Sequence, residues 1–177
     1  MTISKYCWTA SLVLVFLATP ATAAGVPAAA MNKTVTISFT ATGSAKSADG
    51  QTKAFSTSVS RIIYVSSAGR LFMRHVATSG RASRGGDFVP DDPRSGRGSF
   101  HFEGNRLTGV IPYSMGARQV TVSFDAGFSS CTASIIEGHT AGGVIRRKGP
   151  NGVMYEITSA TTSSPSCSIQ SGNVFAN

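Results

Sequence analysis

The side chains best suited to binding chemistry in this sequence are arginines that fall in two basic segments. The chain holds 16 Lys and Arg against 8 Asp and Glu, which gives a formal net charge of +8. A guanidinium presents a planar fork of donors that matches the oxygens of carboxylates and phosphates. The candidate binding residues are Arg81, Arg84, Arg94, Arg97, Arg146, Arg147 and Lys148.

This basic character predicts an anionic partner, such as an envelope polymer, a lipid headgroup or an acidic protein. Nucleic acid is not expected as a partner, because aromatic side chains do not interleave with the basic ones as a stacking platform requires. The plain alternative is a solvated basic surface that has no partner.

Motifs for catalysis or metal binding are missing from the sequence. It contains no Walker-type phosphate loop, no His-Glu-x-x-His and no Gly-x-Ser-x-Gly. The histidines His75, His101 and His139 are far apart in the chain, and we interpret each as a polar surface residue. The aspartates of the stretch 79–97 follow no calcium-loop spacing. We therefore expect no catalytic residue, no metal site, no cofactor and no enzymatic activity.

A small exported hydrolase is the enzymatic alternative, with a site that assembles only in the folded chain. Such a site needs a concave pocket that joins a histidine to a carboxylate, and residue spacing alone does not show one.

The N-terminus has the three parts of a cleavable secretory signal. Lys5 supplies the positive start, residues 12–18 form a short apolar run, and Ala21-Thr22-Ala23-Ala24 offers a small-residue cleavage site. The apolar run is far shorter than the roughly 20 residues that span a bilayer, so we expect no retained transmembrane segment. Cleavage after Ala23 would leave a periplasmic or secreted chain.

Two cysteines remain after removal of the signal, because Cys7 is lost with it. A lone pair of cysteines in an oxidising compartment most simply forms one disulfide, so we expect a Cys131–Cys167 bond. A free reactive thiol is the alternative.

The rest of the chain has the period of β-strands. Val35, Ile37 and Phe39 alternate with threonine and serine, and the alternation returns over residues 119–124. Gly104-Asn105 between two such runs is typical of a tight hairpin. We expect an all-β, antiparallel meander of about eight or nine strands that closes as a small lipocalin-like barrel, with a β-sandwich as the alternative.

These patterns divide the chain into three parts. Residues 1–23 are the signal peptide, 24–32 a flexible leader, and 33–177 a single β domain. A long loop over 79–97, rich in Gly, Arg, Asp and Pro, interrupts the domain.

Part of the domain resembles an uncharacterised family of small exported alphaproteobacterial proteins. The similarity is carried by Phe100-x-Phe102-x-Gly104-Asn105-x-Leu107-Thr108, by residues 120–124, and by Ser130-Cys131 and Ser166-Cys167-Ser168. The resemblance implies export and the disulfide, and it implies no activity.

Taken together, the residues favour an exported, non-catalytic binding domain of the cell envelope. It would dock on an anionic surface or hold a small apolar ligand inside the barrel. A barrel-type protein inhibitor is a further alternative, and the oligomeric state is left open.

Overall fold

The computed structural model describes residues 25–79, 82–88, 99–113, 116–139, 146–148 and 154–175. The predicted signal peptide, residues 1–23, lies outside them. Within the described residues the chain forms ten β-strands, and a 3-10 turn at Ala28–Ala30 is the one helical element. In this part of the chain no helix is long and apolar enough to cross a membrane.

The strands form two antiparallel sheets. They are β1 (Lys33–Ser47), β2 (Thr52–Val65), β3 (Leu71–Ser79), β4 (Ala82–Phe88), β5 (Ser99–Glu103), β6 (Arg106–Tyr113), β7 (Gly116–Phe124), β8 (Cys131–His139), β9 (Arg146–Lys148) and β10 (Met154–Ser171). One sheet has the order β4-β3-β2-β1-β10-β9 and the other the order β5-β6-β7-β8. All paired strands run antiparallel, so the predicted all-β, antiparallel fold is confirmed.

The period-two pattern gives each sheet an apolar face, and the two faces share one core. Ile37 and Ile63 of the six-stranded sheet and Leu107 and Val122 of the four-stranded sheet are fully buried in it. Burying one such side chain contributes about 1.5–3 kcal/mol to folding. The threonines and serines that alternate with the apolar residues of β1 are half-exposed on the outer face, except Thr34, which is buried.

The two sheets meet along β8 and β10, where the predicted disulfide is present. Cys131 on β8 and Cys167 on β10 are bonded, with their Cα atoms 5.8 Å apart. Hydrogen bonds keep the described strands in two separate sheets, and these strands do not form a closed barrel. Two sheets around one core correspond to the sandwich alternative, and closure into a barrel stays a prediction.

The prediction of a loop over 79–97 and of a flexible leader over 24–32 needs two corrections. Residues 82–88 form β4, which pairs with β3 from Met73 to Ser79. The loop prediction was based on the absence of an apolar side-chain pattern in this stretch. An edge strand can form without such a pattern, because backbone hydrogen bonds hold it to its neighbour. In the leader, Ala30 is buried in the core and Val26 packs against it.

The sequence also predicts two separate strands, 153–160 and 166–170, where the structure has the single strand β10. Its serine-rich middle is a β-bulge, because Ser38 pairs with Ser166 but Thr40 pairs with Ser163. Two residues, one of them Pro165, therefore lie opposite Phe39. A bulge accommodates a proline, which has no N–H to donate to the ladder.

The turn between β7 and β8 is held by a carboxylate. Asp125 accepts hydrogen bonds from the backbone N–H groups of Ser129 at 2.7 Å and Ser130 at 3.0 Å, and from the Ser129 hydroxyl. These bonds, the hydroxyl first, lower the pKa of Asp125 from 3.8 to about 2. Lys33 donates to the carbonyls of Gly127 and Phe128 in the same turn.

Asp125→Asn should therefore lower stability in a pH-dependent way. A carboxyl whose pKa is depressed on folding contributes stability above its unfolded pKa, and this is lost as pH falls through the folded pKa. We expect the difference in unfolding free energy between wild type and Asp125→Asn to be largest above pH 4 and to shrink between about pH 4 and 2. Urea titrations across this range measure it. A constant difference would show that the ionised carboxylate does not hold the turn.

Candidate functional site

The predicted binding residues fall on opposite edges of the six-stranded sheet or outside the described residues. Arg81, Arg94 and Arg97 lie outside the described residues. Arg84 lies on the edge strand β4, and Arg146–Lys148 form the other edge strand, β9; for both, only the backbone is described. Four strands lie between these edges, so the two edge strands are about 24 Å apart along the sheet. One small ligand therefore cannot touch both edge strands.

Strand pairing brings two lysines close to β9. Lys46 on β1 pairs with Glu156 on β10, and Glu156 pairs with Arg146 on β9, so the three residues form one row across the sheet. Lys53 on β2 places its Nζ 5.4 Å from the centre of the Tyr155 ring. We call Lys46, Lys53, Arg146, Arg147 and Lys148 the basic corner.

The basic corner has more positive than negative charge. Its five cations have two carboxylate neighbours among the described residues. Glu156 lies on β10 beside β9, and Asp49 lies in the turn between β1 and β2. Hydrogen bonds from the Ser47 hydroxyl and the Gln51 backbone N–H lower the pKa of Asp49, so this carboxyl stays ionised. Lys46 and Lys53 are exposed. The corner can therefore make electrostatic contacts with an anionic partner.

A second group of charged side chains lies between the two sheets. Arg61 on β2 and Arg118 on β7 occupy inward-facing positions, and they are only 6% and 7% exposed. Arg118 donates from its Nε to Glu137 Oε1 at 2.8 Å and to Thr162 Oγ1 at 3.1 Å. The Thr162 hydroxyl also donates to Glu137 Oε1. We call Arg61, Arg118, Glu137 and Thr162 the buried arginine site.

The described side chains of the buried arginine site carry two positive charges and one negative charge. Burial, and after it the charge of Arg118, lower the pKa of Arg61 to about 10, so Arg61 is still protonated at neutral pH. Arg61 Nε and Glu137 Oε2 are buried and have no hydrogen-bond partner among the described residues. A buried guanidinium without an anion is costly, because burial removes its hydration.

The contacts of His101 are not those of a catalytic relay. His101 lies on the outer face of the four-stranded sheet, where its Nε2 is 3.0 Å from both Glu103 Oε1 and Thr108 Oγ1. A nucleophile–base relay uses both ring nitrogens, one for the hydroxyl and one for the carboxylate. The side chains of His101 and Glu103 are also 62% and 59% exposed, so no pocket surrounds them.

His75 and His139 lie on other strands than His101. His75 on β3 pairs in register with Arg61, and its side chain is half-buried. The side chain of His139 lies outside the described residues. Among the residues that are described, no group of three or more His, Cys, Asp or Glu side chains is placed to hold a metal ion.

The charged residues that the fold brings to these two sites were not predicted from the sequence; they are Arg61, Arg118, Lys46 and Lys53. The two arginines do leave a signal, because each stands where the period-two pattern of its strand requires an apolar residue. Arg118 precedes Val120 and Val122 in phase, and Arg61 stands between Val59 and Ile63. A charged residue in phase with a buried face indicates a polar site in the core. The two lysines leave no such signal, because strand pairing alone brings them to β9.

In comparisons with known proteins, no family model, no curated protein and no solved structure matches this chain. The fold and the two charged sites therefore carry the functional conclusion.

Proposed function

We propose that the chain is an exported, non-catalytic binding domain that docks on an anionic envelope surface through the basic corner. The observation that carries this proposal is the row formed by Lys46, Glu156 and Arg146, which places Lys46 in register with Arg146 across β10. An extended surface suits the distance between the two basic edges, because it can span the sheet from β9 to β4. Lys46 and Lys53 are exposed, so they need no rearrangement of the core to reach such a surface.

Export is part of the proposal and places the protein in the periplasm or outside the cell. The signal pattern of residues 1–23 and the resemblance to exported proteins support it. The Cys131–Cys167 disulfide is compatible with it, since such bonds form in oxidising compartments.

Lys46→Gln/Lys53→Gln should bind anionic vesicles about tenfold or more weakly than wild type. Each lysine or arginine near an anionic membrane surface contributes about 1 kcal/mol to the binding free energy. A difference of about 1.4 kcal/mol in binding free energy is a factor of ten in affinity. Co-sedimentation with phosphatidylglycerol vesicles measures the effect, with phosphatidylcholine vesicles as the neutral comparison. Binding should fall steeply towards about 1 M salt, where the Debye length is about 3 Å.

The matched control is Arg70→Gln/Arg106→Gln, which removes the same charge from exposed positions away from the basic corner. This control should bind nearly as wild type does. Equal loss in both double variants would show that net charge alone drives binding. Equal binding to the two vesicle types would contradict electrostatic docking altogether.

A further inference from the structure

We propose that Arg61 and Arg118 form a binding site for one carboxylate between the two sheets. This site is separate from the basic corner, and either proposal can fail without the other. The buried arginine site has an unpartnered donor on Arg61 and an excess of positive charge among its described side chains, and a carboxylate would satisfy both.

The described side chains of the site have one more positive charge than negative charge. Arg61 and Arg118 supply two positive charges, and Glu137 supplies one negative charge. Glu137 bonds Arg118, while Arg61 has no carboxylate within ion-pair distance among the described residues. A single bound anion would make the site neutral. A phosphate dianion would leave a net negative charge in the core, which burial disfavours.

The unused donor lies on Arg61. Its Nε is buried without a hydrogen-bond partner in the described part of the chain, although the residue is only 6% exposed. Buried polar groups in folded proteins are nearly always hydrogen-bonded, so an unsatisfied buried N–H of this kind points to a ligand. A carboxylate accepts two parallel bonds from one guanidinium, which is the geometry that arginine offers.

The site has apolar neighbours, and His75 on β3 pairs in register with Arg61. The Phe39 ring centre lies 5.5 Å from the Arg118 guanidinium carbon, and Ala41 pairs in register with Thr162. Val59 precedes Arg61 on the same inward face of β2. A carboxylate attached to an apolar body would contact these neighbours with that body, whereas a free small carboxylate would contact the guanidinium groups alone. Both kinds of ligand bind through a carboxylate, and the experiment below distinguishes between them.

The unfolding temperature of the mature protein tests the proposal. It would be measured against increasing acetate, hexanoate or phosphate at constant ionic strength. A ligand that binds only the folded state at 100 times its Kd raises the unfolding midpoint of a domain of this size by about 5–10 °C. We expect a saturable rise of this kind with carboxylates. If acetate and hexanoate raise the unfolding temperature equally at equal concentration, the ligand is a free small carboxylate. If hexanoate has the lower half-saturating concentration, the ligand is a carboxylate attached to an apolar body.

Arg61→Met should remove the saturable rise, and Arg106→Met, which removes an exposed cation, should retain it. In carboxylate-free buffer Arg61→Met should also unfold at a higher temperature than wild type, because a methionine needs no counter-ion. Calorimetric titration of folded wild type with hexanoate gives a second readout that does not depend on the stability of the variant. The proposal is overturned if phosphate stabilises more than either carboxylate, if no carboxylate effect saturates, or if Arg61→Met keeps the effect.

Discussion

Glu137→Gln is expected to lower the free energy of unfolding by about 3–5 kcal/mol, because it removes the carboxylate that pairs with the buried guanidinium of Arg118. The side chains of Arg118 and Glu137 are 8% and 16% exposed, so water compensates little of the lost charge. Glutamine has nearly the shape of glutamate and keeps an oxygen that can accept from Thr162. Loss of packing therefore contributes little to the expected change, which denaturant unfolding measures.

Two variants separate the charge effect from other causes. Glu137→Gln/Arg118→Met removes both partners of the pair and should recover most of the lost stability, since burying neither charge is often neutral or favourable. Glu103→Gln removes the carboxylate of the exposed His101 pair and should change stability by no more than about 0.5 kcal/mol. If the double variant is less stable than Glu137→Gln, Arg118 stabilises the core by itself and not through its ion pair.

The sequence was most informative where a feature depends on residues close together in the chain. The alternation of Val35, Ile37 and Phe39 with polar residues predicts an amphipathic strand, and these three residues are buried on one face of β1. The turn Gly104-Asn105 was also predicted, and Gly104 has the positive φ of 60° that glycine adopts at little cost. Both features follow from local backbone and side-chain preferences.

Features that depend on strand pairing could not be predicted in the same way. Lys46 and Glu156 are paired although they lie far apart in the sequence, and only the register of β1 against β10 brings them together. The same pairing order puts β4 and β9 on opposite edges, so the two basic segments that composition groups together are separated by the width of a sheet. Register is fixed by the packing of whole faces, and short motifs do not encode it.

The disulfide combines both kinds of information. Its existence follows from two cysteines and an export signal, whereas its position joining the two sheets needs the fold. Cys131 and Cys167 link β8 to β10, and the same two strands carry Glu137 and Thr162 of the buried arginine site. The covalent bond therefore also restricts the separation of the strands that hold this site.

Cys131→Ala/Cys167→Ala should lose about 4 kcal/mol of stability, because the bond closes a loop with a sequence separation of 36 and so restricts the unfolded chain. For a domain of this size the unfolding midpoint should fall by roughly 8–16 °C. Denaturant unfolding of the oxidised protein, the reduced protein and the variant measures the effect. The reduced wild type should unfold close to the variant.

The single variants Cys131→Ala and Cys167→Ala distinguish the cross-link from the packing of the two side chains. Either substitution breaks the same bond, so each single variant should lose nearly as much stability as the double variant does. Both cysteines are half-buried against the core, and lost packing at two independent positions would instead give losses that add. The prediction is contradicted if the losses are additive, or if the reduced wild type is as stable as the oxidised protein. Either result would mean that side-chain packing holds the interface between β8 and β10 and that the disulfide contributes little to the free energy of unfolding.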